Sequence, residues 1–322
     1  MADSRVLIRL HMGSTRVAKS ELTTGRIKGS LKRLRVSQPL NMLATSAVRA
    51  LLGSAGVQSE MVIKHLHRVG AVSSRLPNGS TLRLWSRADD WVSNQVYWRG
   101  WSGYEPETVP LFFRLAMRAR ITFDIGAYVG LFTLLAAHAN PRGRVYAFEP
   151  LPDAFKRLER NVELNKLENV RTVSAAVSDL DGSAEFFCAA TEMPCSSSLS
   201  YDFMKSTDGL SSFTVPVIKL DSFVRENGLH GIDLVKIDTE STEPQVLSGM
   251  LETIQRDQTL IICEVLKGRG SEQPLQDVLD SIGYRAFLLT PDGPVLRDRI
   301  EGHPVWLNYL FTALSPCEVA RL

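Results

Sequence analysis

Residues 121–130 read ITFDIGAYVG. An apolar stretch runs into a turn carrying Gly126 and Gly130, and residues 129–139, VGLFTLLAAHA, continue as an apolar helix. Strand, glycine turn and helix in that order open a nucleotide-binding α/β unit, whose ligand lies beyond the carboxyl ends of the strands. Dinucleotide folds place G-x-G-x-x-G at this turn and seat a pyrophosphate on the helix N-terminus. Here the turn reads D-I-G-A-Y-V-G. A fixed carboxylate at Asp124 repels a pyrophosphate in a site of reduced dielectric, so the corner favours a phosphate-free ligand with a cationic end. S-adenosylmethionine, an adenosine carrying a sulfonium and an α-ammonium, is such a ligand. An NAD-dependent oxidoreductase is the alternative that Asp124 disfavours. Glu149 follows at the end of the next strand, RVYAFEP (144–150), where an acid can accept both ribose hydroxyls. The plainer alternative for this pair is a helix cap at Asp124 and a solvated loop acid at Glu149.

Outward from this corner, apolar strands and helices alternate. PDAFKRLERNVELN (152–165) is amphipathic, with Phe155, Leu158 and Val162 on one face. VRTVSAAVSD (170–179), IDLVKID (232–238) and TLIICEV (259–265) read as strands. EPQVLSGMLETIQ (243–255) and PLQDVLDSIG (274–283) read as helices, and YRAFLL and NYLFTAL as two late strands. Nearly continuous apolar strands separated by helices indicate a mostly parallel sheet covered on both faces. Residues 183–230 interrupt the rhythm with two extra strands, SAEFFCAA and FTVPVIKL, around a serine-rich loop, CSSSLSYD. Asp221-Ser222 is expected to cap a helix, and YEPETVPLFFRLAMRAR to start one with Pro106 in its first turn. Before the sheet, residues 41–68 read as one or two helices broken near Gly53–Gly56, and Asn78-Gly79 marks a hairpin. The division expected is a basic, flexible leader over 1–40, N-terminal helices and hairpin over 41–90, and a ligand-binding domain over 91–322 with the 183–230 insertion.

The 322 residues are 44% hydrophobic and 22% charged, ordinary for a globular protein with a sizeable core. The first 40 residues hold nine Lys/Arg against two Asp/Glu, so the net charge of +2 conceals a mildly acidic body. A general nucleic-acid surface is not indicated. Four cysteines show neither paired nor metal-ligand spacing, which reads as reduced thiols in a cytoplasmic protein. No apolar run reaches the length of a membrane span.

The segments DIGAYVGLFTLLAA, GRVYAFEPLPDAFKRLERNVELN, AAVSDLDG, SSSL, VIKLDSF and IDLVKIDTESTEPQVLSGM, in this order, resemble the FkbM family of S-adenosylmethionine-dependent methyltransferases. The resemblance runs from about Leu76 to Phe311. It implies a Rossmann-like class I methyltransferase fold with a seven-stranded sheet, and methylation of a hydroxyl on a small molecule or sugar. It also implies that Asp124, Gly126, Ala127 and Gly130 surround the methionine part, that Glu149 holds the ribose and that Ala176 and Val177 flank the adenine. Asp238 would stand at the active end of the fourth strand. The family has asparagine where this chain has Tyr128, and glycine where it has Ser241. A glycine required for positive φ would leave Ser241 strained or the turn rebuilt.

Methyl transfer to oxygen needs an aligned hydroxyl and gains from a base that takes its proton. The spacing of two in VKIDTESTE puts Lys236, Asp238 and Glu240 on one face of a strand end. Glu264 ends the next strand. Asp238 is the leading base, with Glu240 and Glu264 as alternates and Lys236 orienting a substrate oxygen or carboxylate. A buried lysine–carboxylate network that only holds strands together remains open, as does Mg²⁺ held by the three acids, although no metal is expected. Glu105 reads equally as a cofactor contact or a favourable charge at a helix start. Trp98 and Trp101 read as packing rather than pocket walls, and His138 and His230 as surface groups. The acceptor pocket is expected from residues 41–120 and the 190–212 loop. Two further classes stay in view. A nucleic-acid methyltransferase is disfavoured because DTESTE stands where base amino-methylation shows an Asn/Asp-Pro-Pro-aromatic stretch. A non-catalytic module keeping the fold is motivated by Ser241.

Overall fold

The computed structural model describes residues 37–52, 60–189 and 197–322. Most of the expected leader lies outside them, as does the tip of the serine-rich loop. Helices α1 (Gln38–Leu52) and α2 (Glu60–His65) precede a hairpin of β1 (Val69–Arg75) and β2 (Thr81–Arg87). Gly79, at φ +83, lets its amide reach the Leu76 carbonyl at 3.0 Å and closes the hairpin turn. Helix α3 (Trp91–Arg99) is capped by Asp90, which accepts from the Ser93 amide at 2.6 Å. Helix α4 spans Val109–Ala116. It starts three residues after the expected position, because Pro110 rather than Pro106 occupies its first turn.

Alternation then runs as expected: β3 (Ile121–Ile125), α5 (Leu131–Ala139), β4 (Arg144–Phe148), α6 (Pro152–Asn165) and β5 (Val170–Val173). The expected third strand breaks at Ser174-Ala175. Its second half, β6 (Ala176–Ser178), leaves the main sheet and pairs in parallel with β9. A second sheet in the order β6-β9-β7-β8 results, from β7 (Gly182–Ala189), β8 (Ser197–Ser198) and β9 (Leu210–Lys219), with α7 (Tyr201–Met204) between the last two. Next come α8 (Leu220–Glu226), β10 (Ile232–Ile237), α9 (Glu243–Ser248), α10 (Leu251–Asp257), β11 (Leu260–Glu264) and α11 (Glu272–Ile282). Strands β12 (Arg285–Thr290), β13 (Gly293–Arg297) and β14 (Asn308–Thr312) and helix α12 (Pro316–Val319) finish the chain.

The main sheet has the order β13-β12-β14-β11-β10-β3-β4-β5. Strands β5, β4, β3, β10 and β11 are parallel, while β14 runs antiparallel between β11 and β12. It therefore has eight strands rather than seven. The addition, β13, hairpins onto β12 at the edge. It is largely exposed and contains Pro294, which an edge strand tolerates and which gives no apolar alternation to read. Asp221 is not the cap of its own helix, whose N-cap is Lys219. Its carboxylate accepts instead from the Glu252 and Thr253 amides at 3.2 and 2.9 Å and caps α10.

Both sheet faces are covered. On one, Phe123, Tyr146, Phe148 and Phe223 meet edge-to-face with centroids 5.2–6.3 Å apart. Each such buried ring is worth roughly 1.5–3 kcal/mol relative to leaving it in water. On the other, Lys236 is fully buried at the register position opposite Asp124. Asn161 and Asn165 of α6 accept from the Trp85 and Arg83 amides at 2.7 and 2.8 Å. Asn161 also donates to the Val129 carbonyl at 2.8 Å, so one side chain joins the hairpin to the glycine turn.

Candidate active site

A cavity of about 220 Å³ opens at the carboxyl ends of β3, β4, β10 and β11. Gly126, Glu149, Ala176, Val177, Asp238, Glu240 and Glu264, all expected site residues, line it. Asp124, Ala127, Gly130 and Lys236 stand behind the wall.

The glycine turn is built for close packing. Gly126 and Ala127 both donate to the Phe148 carbonyl at 3.0 Å, locking the turn onto β4. Gly126 has φ +77, and a Cβ there would lie 1.8 Å from the Asp238 carbonyl oxygen. The fourth strand itself therefore demands glycine. Gly130, at φ +89, faces Leu158 of α6, whose Cδ1 would be 2.5 Å from an added Cβ. Ala127 is buried against Ala147 and Leu158.

Asp124 departs from its expected role. Its carboxylate is buried and accepts from Thr133 Oγ1 at 2.5 Å, one turn into α5. It fixes the helix start behind the turn, and burial raises it to about 6 despite that hydrogen bond. The acids that do line the cavity are Glu149, Asp238, Glu240 and Glu264.

Glu149 is one of them. Its Oε2 accepts from the Tyr128 amide at 2.7 Å and its Oε1 from the Leu151 amide at 2.8 Å. Tyr128 adopts φ +51 to present that amide. A carboxylate offers about four lone-pair sites, so two remain for ligand hydroxyls. Burial pushes Glu149 up to about 7 against the two amides. Next to it, Ala175, Ala176, Val177 and Phe186 form an apolar wall where β6 leaves the sheet.

The opposite end is acidic. Asp238 pairs with Lys236, whose Nζ lies 3.3 Å from its Oδ2 and also donates to the Ile237 carbonyl. Burial disfavours the Lys236 ammonium, yet the carboxylates of Asp238, Glu105 and Glu264 hold it above the ordinary lysine range, and it sits 5.0 Å from the Phe132 ring centroid. The lysine–carboxylate network is thus real for Lys236, which touches no cavity surface. Burial raises Glu240 to about 8, with Asp238 and Glu243 adding repulsion. Burial, then Asp238 and Glu240, push Glu264 well above the usual carboxylate range. Glu105 lies nearby: half-buried, it accepts from Asn308 Nδ2 at 2.9 Å, and desolvation raises it to about 7.

The turn after Asp238 carries two adjacent left-handed residues, Glu240 at φ +55 and Ser241 at φ +84. The strain anticipated at Ser241 is present. Glu243 holds the turn by accepting from the Thr239 and Ser241 amides at 3.2 and 3.0 Å. Ser198 of the serine-rich segment donates to the Glu240 carbonyl at 2.7 Å from the other side.

Trp91 and Tyr104, within the 41–120 span but not singled out by the sequence, wall the cavity with Ser197 and Leu199. Trp98 instead packs inside and donates to the Leu66 carbonyl at 2.8 Å. Among the described residues no cluster of three or more His, Cys, Asp or Glu side chains suits a metal ion. No helix among them is long and apolar enough to cross a membrane. Their cysteines, 188, 263 and 317, are unpaired.

The donor set fits a cationic nucleoside: a hydroxyl-accepting carboxylate at β4, an apolar slot at β6 and an excess of acids beyond β10. A fungal protein named Methyltransferase 1, from Beauveria bassiana, is 27% identical over 184 residues, covering 52% of this chain and 74% of that one. The 31-O-demethyl-FK506 methyltransferase FkbM of Streptomyces tacrolimicus is 27% identical over 204 residues, covering 55% and 74%. A crystal structure of a methyltransferase FkbM from Methylobacillus flagellatus aligns with 60% of this chain and 43% of its own, at 14% identity and a TM-score of 0.41. The family profile described as the Methyltransferase FkbM domain matches residues 124–289, more than half the chain, so the chain belongs to the FkbM methyltransferases, enzymes that take their methyl group from S-adenosylmethionine.

Proposed function

We propose that the protein transfers a methyl group from S-adenosylmethionine to a hydroxyl of a small molecule or sugar. Glu149 receives the ribose hydroxyls, each charge-assisted bond contributing roughly 1.5–3 kcal/mol. Ala176 and Val177 flank the adenine, and the Gly126 turn carries the methionine part past Asp238. The Streptomyces relative, whose name specifies a 31-O-demethyl acceptor, supports oxygen as the methylated atom.

The hydroxyl oxygen attacks the methyl carbon in line with the carbon–sulfur bond. That bond's electron pair leaves on sulfur, neutralising the sulfonium, and the hydroxyl proton passes to Asp238. Asp238 is suited to this because Lys236 supports its carboxylate from inside at 3.3 Å while 23% of its side chain stays exposed. Base assistance of this kind is worth about 10²–10⁴-fold. Lys236 acts through Asp238 rather than on substrate.

The observation that carries this reading is the juxtaposition, in one cavity, of Glu149 at one strand end and Asp238 two strands along. Calorimetric titration with S-adenosylhomocysteine and NAD tests the cofactor. Binding of NAD alone would remove the reading. Asp238→Asn should abolish methyl transfer in a cell-extract screen for products 14 mass units heavier, yet leave S-adenosylhomocysteine affinity nearly intact. Full turnover in that variant would exclude Asp238 as the base.

A further inference from the structure

Three carboxyl groups, those of Asp238, Glu240 and Glu264, line the β10–β11 end of the cavity. Among the described residues, Lys236 and Arg269 are the cations that act on Glu240. Lys236 is behind the wall on Asp238, and Arg269, which faces Glu240, lies over the Phe203 ring with 4.6 Å between guanidinium carbon and centroid. Glu264 is the informative member. It lines the cavity at 8% exposure, and its Oε2 is buried with no hydrogen-bond partner. A buried carboxylate oxygen without a donor costs about 1–3 kcal/mol, more when charged, so a ligand that supplies a donor there recovers that cost.

The strand order says which ligand. Glu149 ends β4, the glycine turn ends β3 and Asp238 follows β10, so a donor nucleoside laid from Glu149 to Asp238 spans three neighbouring strands. Glu264 ends β11, one strand further, about 5 Å beyond at ordinary strand spacing. It therefore faces the acceptor rather than the cofactor.

We propose that this end is a cation subsite, and that the methyl acceptor is a hydroxylated amine whose ammonium donates to Glu264 and neighbouring Glu240 while its hydroxyl faces Asp238. The assignment rests on the methyl-transfer reading above and narrows its substrate class. It predicts exclusion of carboxylate-bearing acceptors, which would meet Asp238, Glu240 and Glu264 at close range.

The full chain saturated with S-adenosylhomocysteine is titrated at pH 7 with glucosamine, N-acetylglucosamine and glucuronate, followed by ligand-observed NMR. Glucosamine should bind at least about tenfold tighter than its N-acetyl counterpart, the factor expected from one charge-assisted hydrogen bond, and glucuronate should not bind. Glu264→Gln should reduce that preference to within about threefold while keeping S-adenosylhomocysteine affinity and melting temperature, which show that the variant is folded. Equal, absent or reversed preference among the three probes overturns the subsite, as does a Glu264→Gln variant that retains it. Failure of the wild-type chain to bind S-adenosylhomocysteine would instead overturn the methyl-transfer reading itself.

Discussion

The hydroxyl of Ser198 donates to the main-chain carbonyl of Glu240 at 2.7 Å, joining the second sheet to the turn that carries the acidic end of the cavity. The same hydroxyl accepts from the Ser200 amide at 3.0 Å, and Ser198 is fully buried. Ser198→Ala therefore leaves a part-buried carbonyl and a part-buried amide without this partner, at a cost of about 1 kcal/mol. The loss falls on the turn, so acceptor KM should rise while S-adenosylhomocysteine affinity, which the proposed function places at Glu149, stays within about twofold. Denaturant unfolding and calorimetry check both halves. A variant with weakened cofactor binding and unchanged acceptor KM would contradict the link.

Ser241 holds φ +84 beside Glu240 at φ +55, and its hydroxyl is buried without a partner. A non-glycine residue in this region costs of order 1–3 kcal/mol. Glycine removes the strain and the unpaired hydroxyl, against an added unfolded-state entropy of about 0.5–1 kcal/mol. Ser241→Gly is accordingly expected to be neutral or stabilising by up to about 2 kcal/mol, where Ser→Gly in an ordinary loop destabilises. A clear fall in melting temperature would show that the serine is required as such.

Glycine 126 should behave in the opposite way. The nearest atom to an added Cβ is the Asp238 carbonyl oxygen at 1.8 Å, which is backbone and has no rotamer with which to yield. Gly126→Ala is expected to cost several kcal/mol and to displace Asp238, abolishing activity together with stability. Gly268, also at positive φ (+71) but with open space around it, supplies the control: alanine there costs only the conformational strain, about 1 kcal/mol. Comparable losses at the two positions would deny the close approach of β3 and β10.

These cases mark what the sequence could and could not convey. The corner 121–130 and Glu149 are legible because strand, turn, helix and strand-end acid are consecutive, and their geometry follows from local periodicity. Whether Asp124 faces ligand or helix was not, since both uses put an acid at a strand end. Thr133 decides it, by offering a hydroxyl one turn into α5. Trp91 and Tyr104 come to the cavity from the N-terminal part through tertiary packing, and neighbouring Glu105 is tied to Asn308 across 203 positions of chain. No window of sequence contains that contact. The strand 170–179 looks continuous in hydropathy, but its break at Ser174-Ala175 depends on β9, forty residues later, offering β6 a better edge.

Charge gives the last prediction. Burial raises Glu149 and Glu105 to about 7 and Glu240 to about 8, above their value of 4.5 in the unfolded chain. An acid raised on folding binds its proton more tightly in the native state, so its contribution to stability is complete below about pH 4.5. That contribution is lost as pH rises toward 7–8. The ligand-free protein should therefore lose melting temperature between pH 5 and pH 8 through these groups. S-adenosylmethionine brings a sulfonium and an ammonium that favour the ionised acids, so its binding releases protons and tightens from about pH 6 to pH 8. S-adenosylhomocysteine lacks the sulfonium and should tighten less, so the affinity ratio of the two grows with pH. Calorimetry in two buffers of different ionisation enthalpy reads the proton release directly. A ratio that is flat from pH 6 to pH 8, with no proton released on binding either ligand, would mean that the acids of this cavity do not answer the sulfonium's charge.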